Sequence, residues 1–335
     1  MAVNTWDGAV NSDFGNPGNW NTTGLTDRNP TADDDVIIPN VSNDPVVDTD
    51  YTINSLEIQS GGNLDGDGNT LTIDGENAAG YAVDLDGIIT GTDTDLTITT
   101  AALTLIDLTP SSGAIRNLTI NHSSCVAEYT TTHTLSGDLT VTAGTYRFQA
   151  YGLTLTVTGD VSIANGATLG YVGGTAGAST TSFGSLTIAS GGTYVNGFES
   201  TTTITGENGS GFALQNSGTF THNSGTVQTD HADTAALFGS GGCYNWIVNS
   251  ATTIHDGNLT VYNNLTINAS KLLKPDNDSR VFTVHGLTTI AGTFGLAANT
   301  GTHKLNHVDV TGTLQIGTNQ TIDLTGLRNI SGTVT

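Results

Sequence analysis

A four-residue phrase recurs along this chain at nearly even steps, and it limits the possible folds more than any other feature. The phrase is a small polar residue, Leu or Val, Thr or Ser, then Ile or Val. It starts at Asp95 (DLTI), Asn117 (NLTI), Asp138 (DLTV), Asp160 (DVSI) and Ser185 (SLTI), and only the last step is noticeably longer than the others. It returns at Asn245 (NWIV), Asn264 (NLTI), Gly286 in the looser form GLTTI and His307 (HVDV), again at nearly the same step. Ser55 (SLEI) precedes Asp95 by close to two such steps, and the interval from Ser185 to Asn245 fits three. Alternation with period 2 is a strand signal, because successive side chains leave a strand on opposite faces. Branched Thr, Val and Ile suit a pleated surface. Between Thr131 and Gly170 the runs Leu139 to Val141, Leu153 to Val157 and Val161 to Ile163 are short and separated by Gly144, Gly152, Gly159 and Gly166.

Short strands repeating every ~20–25 residues predict a β-solenoid. One coil cannot bury its inner face alone, whereas stacking at the ~4.8 Å strand spacing sets Leu on Leu and Thr on Thr. The fold expected is all-β, a single-stranded right-handed parallel β-helix with about 21–22 residues per coil and roughly 13 coils. Composition agrees. Charged residues make up 12% and there are 43 glycines, one methionine and no window with a 3.6-residue apolar repeat. A solenoid also escapes the size at which globular chains divide, since each coil touches only its neighbours.

The formal net charge of −23, with only 8 Lys plus Arg, argues against nucleic acid, whose phosphates require clustered cations. No apolar run reaches the ~20 residues of a membrane span, so no membrane insertion is expected. Acidity of this kind keeps a strand-rich particle soluble. Cys125 and Cys243 are separated by several coils of such a stack, beyond disulfide reach, so both are expected to be free buried thiols. The opening MAVNTWDGAVN has neither the basic nor the apolar stretch of a secretory signal.

Residues 1–50 differ from residues 51–335, the expected β-helix. They hold four of the six prolines and two of the three tryptophans. Trp6, Phe14 and Trp20 on Gly/Pro-framed loops, followed by Val36 to Ile38, predict an N-terminal cap over the first coil or an attachment segment. At the other end, Leu327 to Thr335 still reads as a coil. Its last edge is expected to be covered by another copy or another protein.

The order W-D-G, N-P-G-N-W and D-D-V-I-I-P, leading into S-L-E-I-Q-S-G-G-N-L and L-T-I-D-G, resembles the opening of bacterial and phage β-solenoid surface proteins. S-G-T-F-T-H-N-S-G-T-V (217–227), Y-N-W-I-V-N-S-A-T-T-I (244–254) and N-L-T-V-Y-N-N-L-T-I (258–267) resemble their adhesin-like and virion-fibre repeats. The resemblance covers nearly the whole chain and implies architecture more than activity. With no signal sequence and no C-terminal membrane barrel, it favours a phage particle component over a secreted bacterial adhesin.

Sites for chemistry are sparse. Asp65-Gly66-Asp67-Gly68-Asn69 with Glu76 has the spacing of a calcium loop, but Thr70 stands where that loop needs Gly, and a structural turn is the reading preferred. The pairs Asp84/Asp86 and Asp93/Asp95 would share strand faces at hydrolase-like separations. A lyase would also need a cation beside such a cluster, and only Arg28 lies near an acidic run, Asp33 to Asp35. Asp230-His231-Ala232-Asp233 is the best catalytic candidate. His303 and His307 are four apart, but without a helix they do not form a metal pair. Residues 170–185 and 201–243, together with Lys271 to Arg280, are expected to be loops or irregular polar segments at corners, where binding faces arise. No cofactor, metal site or catalytic residue is assigned.

The function expected is that of a non-enzymatic structural protein of a phage-like virion. Such a fibre, spike or capsid decoration would present its corner loops to a surface. The alternatives are a bacterial extracellular adhesin and a polysaccharide-degrading tailspike enzyme. Partners expected are other copies or other particle proteins at the cap and the C-terminal edge, and cell-surface glycans. The location expected is virion or extracellular.

Overall fold

The computed structural model describes residues 2–91, 93–148, 152–171, 179–255, 257–275, 281–295, 302–316 and 321–335. It is a parallel β-solenoid of about 12 turns. Helix among the described residues is confined to two short 3-10 segments, Pro17–Asn19 and Gly239–Gly241. The chain forms two compact units, residues 1–159 with 166–169, and residues 160–165 with 170–335.

In the first unit, like residues stack on like. Leu71, Leu96, Leu118 and Leu139 are paired in register, as are Thr72, Thr97, Thr119 and Thr140, and Ile73, Ile98, Ile120 and Val141. The aliphatic members are all buried, and the threonines between them face outward, as period-2 alternation requires. A second face stacks Asp34–Ile38, Ser55–Ile58, Tyr81–Leu85, Leu103–Asp107 and the later half of Leu118–Tyr129. Ser55 therefore does not share a column with Asp95, contrary to the step count. Asp95–Ile98 rests on Thr70–Ile73. Every face needs the same inside-outside alternation, so the phrase marks a strand without saying which face it joins.

Four strands are longer than the sequence suggests. Leu118–Tyr129, Leu139–Phe148, Thr154–Ile163 and Thr180–Ile188 each run through a corner, and the last takes up residues 180–185 of the expected Gly-rich loop. Gly144 makes one such corner possible. Its φ is +81°, and a Cβ there would lie 2.4 Å from the His122 carbonyl oxygen and 2.6 Å from that of Cys125, a conformation and an approach open to glycine.

In the second unit, one face stacks Thr201–Ile204, Thr226–Thr229, Asn245–Val248, Leu265–Ile267, Thr288–Ile290, Val308–Val310 and Leu327–Ile330. A second runs from Phe212–Asn216 through Asp233–Leu237, Thr252–His255, Leu272–Pro275, Thr293–Gly295 and Thr313–Gln315 to Thr333–Val334. Residues 201–243 are thus as regular as the rest. Their outward positions are polar and their strands short, a pattern that mimics irregular chain. Leu272–Pro275 is likewise a strand rather than part of a protruding turn, while residues 276–280 of that expected turn lie outside the described residues. Residues 172–178 of the expected Gly-rich loop lie outside them too. Inside the unit, Phe183, Tyr194, Phe220, Phe238, Trp246, Phe282 and Phe294 follow one another in ring contact at 5.0–6.4 Å. Large rings fill the interior where a coil contributes few aliphatics.

At the start of the first unit, Ala2–Trp6 pairs in parallel with Asp34–Ile38 and antiparallel with Trp20–Thr22. This is the one antiparallel pairing among the described residues. At the last turn of the second unit, Ile330 and Val334 are 40% and 43% exposed, whereas Val310 and Leu314, one turn earlier, are fully buried. Cys125 and Cys243 are free thiols buried in the interior, and burial pushes the Cys125 thiol up to about 11.

Candidate functional site

The Asp or Asn that opens several of the phrases has a definite role. Asn117 Oδ1 accepts the Asp138 N–H at 2.8 Å, Asn264 Oδ1 accepts the Leu287 N–H at 2.9 Å, and Asp95 Oδ1 accepts the Asn117 N–H at 3.2 Å. Asn258 does the same for Val281 at 2.8 Å and Asp50 for Thr70 at 2.8 Å. A corner side chain thus satisfies the N–H that opens the strand one turn later, where no ladder bond reaches it. Ion pairs also span turns. Arg116 binds Asp95 through Nε at 2.8 Å and Nη2 at 2.7 Å, and Arg147 binds Glu128. Arg28 forks onto the buried Asp34 at 2.5 and 2.6 Å. Arg28 is therefore not alone in meeting an acid, and all three cations serve to hold the chain together.

The same kind of bond occupies Asp230 and Asp95, two of the residues with catalytic promise. Asp230 accepts from Asn249 Nδ2 at 2.9 Å and Gln228 Nε2 at 3.3 Å, and His231 turns Nδ1 to the Asp233 carbonyl at 3.2 Å. The His231 ring thus meets a backbone oxygen of Asp233 rather than its carboxylate. Asp95, of the pair Asp93/Asp95, is taken by Arg116. Asp65 to Asn69 folds as a turn, with the Asp67 N–H on Asp65 Oδ1 at 3.0 Å and Asp67 at φ 45°. Thr70–Ile73 then leaves as a strand. Asp84 stands in register between Glu57 and Asp107. Desolvation, followed by Asp86, Asp107 and Glu57, holds its carboxyl above the usual range. No group of three or more His, Cys, Asp or Glu placed to hold a metal occurs among the described residues. His303 is buried with both ring nitrogens unpartnered, while His307 is exposed at a turn with φ 47°.

Trp6, Phe14 and Trp20 pack on one another, with Trp20 edge-on to both other rings at 4.8–4.9 Å. Phe14 also meets Tyr51 at 4.8 Å. Trp6 Nε1 donates to the Asn43 carbonyl at 2.7 Å and Trp20 Nε1 to the Phe14 carbonyl at 2.8 Å. All three rings are buried, so any surface at this end is formed by residues around them.

The repeat phrase gives no warning of one surface feature. In the second unit His222, Tyr244, Tyr262 and His285 stand at one corner of successive turns. His222 stacks on Tyr244 at 5.6 Å and meets Tyr262 at 5.1 Å, and Tyr262 stacks on His285 at 6.1 Å. Backbone bonds fix the order: Asn263 N–H to the Tyr244 carbonyl, Tyr262 N–H to that of Cys243, and His285 N–H to that of Val261, at 2.8–3.0 Å. Each ring sits just before a phrase strand, so the inward Trp246, Leu265 and Thr288 anchor the corner while the ring lies outside. Tyr262 is 43% exposed, His285 is exposed, and His222 and Tyr244 are half-buried. Neither tyrosine hydroxyl has a hydrogen-bond partner among the described residues. In the sequence the only signal is an aromatic or histidine residue shortly ahead of each strand. No family model, curated protein or solved structure matches the chain.

Proposed function

We propose that this chain is a non-enzymatic structural protein of a phage-like particle, whose stacked coils hold a contact surface rigidly toward a cell or another particle component. The observation that carries this reading is the use made of its polar side chains. Arg116, Arg147 and Asp230, groups that a polysaccharide-cleaving site could draw on, are bonded to the next or previous turn, as in Arg116–Asp95 and Asp230–Asn249. Such bonds stiffen a column, and a stiff column displays repeated corners for multivalent contact. The virion setting comes from the sequence resemblance. Residues 1–50 close the starting edge, and the exposed Ile330 and Val334 seat a second copy or another particle protein.

Mass spectrometry of purified particles tests the reading: stoichiometric presence supports it, and recovery only from bacterial surfaces favours an adhesin. Turnover of acidic polysaccharides that disappears in Asp230→Ala and Asp233→Ala overturns the non-enzymatic part.

A further inference from the structure

We propose that the ring stripe of His222, Tyr244, Tyr262 and His285 binds a neutral polysaccharide chain. This inference rests on the contact-surface reading and names its ligand. Three observations carry it. The rings form a continuous, partly exposed surface across successive turns, at 5.1–6.1 Å between neighbours. Aromatic rings present apolar area with a polar edge, which suits sugars, whose rings carry C–H groups on their faces and hydroxyls at their rims. Hydrogen-bonding groups also flank the stripe uncommitted. These are the two tyrosine hydroxyls and the amide nitrogen of exposed Asn264, whose oxygen is spent on Leu287.

The third observation is charge. The protein carries a formal −23, yet residues 217–229, 241–255, 257–270 and 281–295, which carry the four rings, contain no Asp, Glu, Lys or Arg, and the charged residue bonded beside the stripe, exposed Glu199 with its N–H on the Asn223 carbonyl, is an acid. An anionic polymer would find no cation there and would be repelled by the rest of the molecule. A cationic one would be drawn to the acidic surfaces instead. A neutral chain loses nothing to either effect, and the repeat of rings along the turns lets one chain make several weak contacts at once.

Electrophoresis of the full chain through native gels containing dissolved hydroxyethylcellulose, starch, mannan or xylan tests the idea, with alginate as the anionic comparison. At least one neutral polymer should retard the protein. Retardation should fall tenfold or more in Tyr262→Ala, less than threefold in Tyr262→Phe, and not at all in Leu103→Ala, an exposed position of the other unit. His285→Ser serves as a second variant if Tyr262→Ala lowers the melting temperature. The proposal is overturned if no neutral polymer retards the protein, if alginate retards it equally, or if the ring variants migrate like the parent. Presence in particles without retardation removes this inference and leaves the structural reading standing, whereas retardation without presence in particles does the reverse.

Discussion

His133 lies buried in the first unit, with Nδ1 3.1 Å from the Thr131 carbonyl and Nε2 2.8 Å from the Tyr146 hydroxyl. The carbonyl can only accept, so Nδ1 carries the proton and Nε2 accepts from the tyrosine, an assignment that needs a neutral ring. Burial lowers its pKa to about 4. A histidine depressed in the folded state stabilises above its unfolded pKa near 6.5, and that contribution drains away between pH 6.5 and 4, to the extent of roughly 3 kcal/mol. The urea midpoint should therefore fall over that window, and His133→Gln, whose amide can both donate and accept, should flatten the fall. His303, also held low by burial, acts in the same direction. Asp84 works the other way, because its carboxyl is raised and its charge at neutral pH opposes the stack. Asp84→Asn should raise the melting temperature at pH 7 and change it little at pH 3. None of these partners was legible in the sequence. Which carboxylate or ring lies one turn above another depends on coil lengths, which vary at the corners.

Among the elements, the strands were legible because alternation and branched residues report burial directly, as in Leu96-Thr97-Ile98. Their grouping into faces was not, as Ser55–Ile58 shows, since each face asks for the same pattern. In the sequence the opening Asp or Asn of the phrase is merely small and polar. The structure gives it a task, the bond to the N–H one turn later, which links the repeat in sequence to the register in space. Asn117→Ala leaves the Asp138 N–H without its partner and should cost about 1 kcal/mol. Asn264→Ala should cost a similar amount. The two sit in different units with no shared neighbour, so in the double variant their effects should add, as denaturant titration can show.

At the scale of the molecule, a stack of turns is held by its nearest neighbours, so local stability follows how many sides of a strand are paired. Thr321–Leu324, Leu327–Ile330 and Thr333–Val334 are each paired on one side among the described residues. Their amides should exchange hydrogen faster than those of Leu118–Tyr129, which is paired on both sides. The antiparallel Trp20–Thr22 shapes a different edge, in the first unit. Beside Ala2–Trp6 it sets a very short strand of opposite sense, a poor template for an incoming chain. Addition of a further strand beside Trp20–Thr22 is therefore disfavoured.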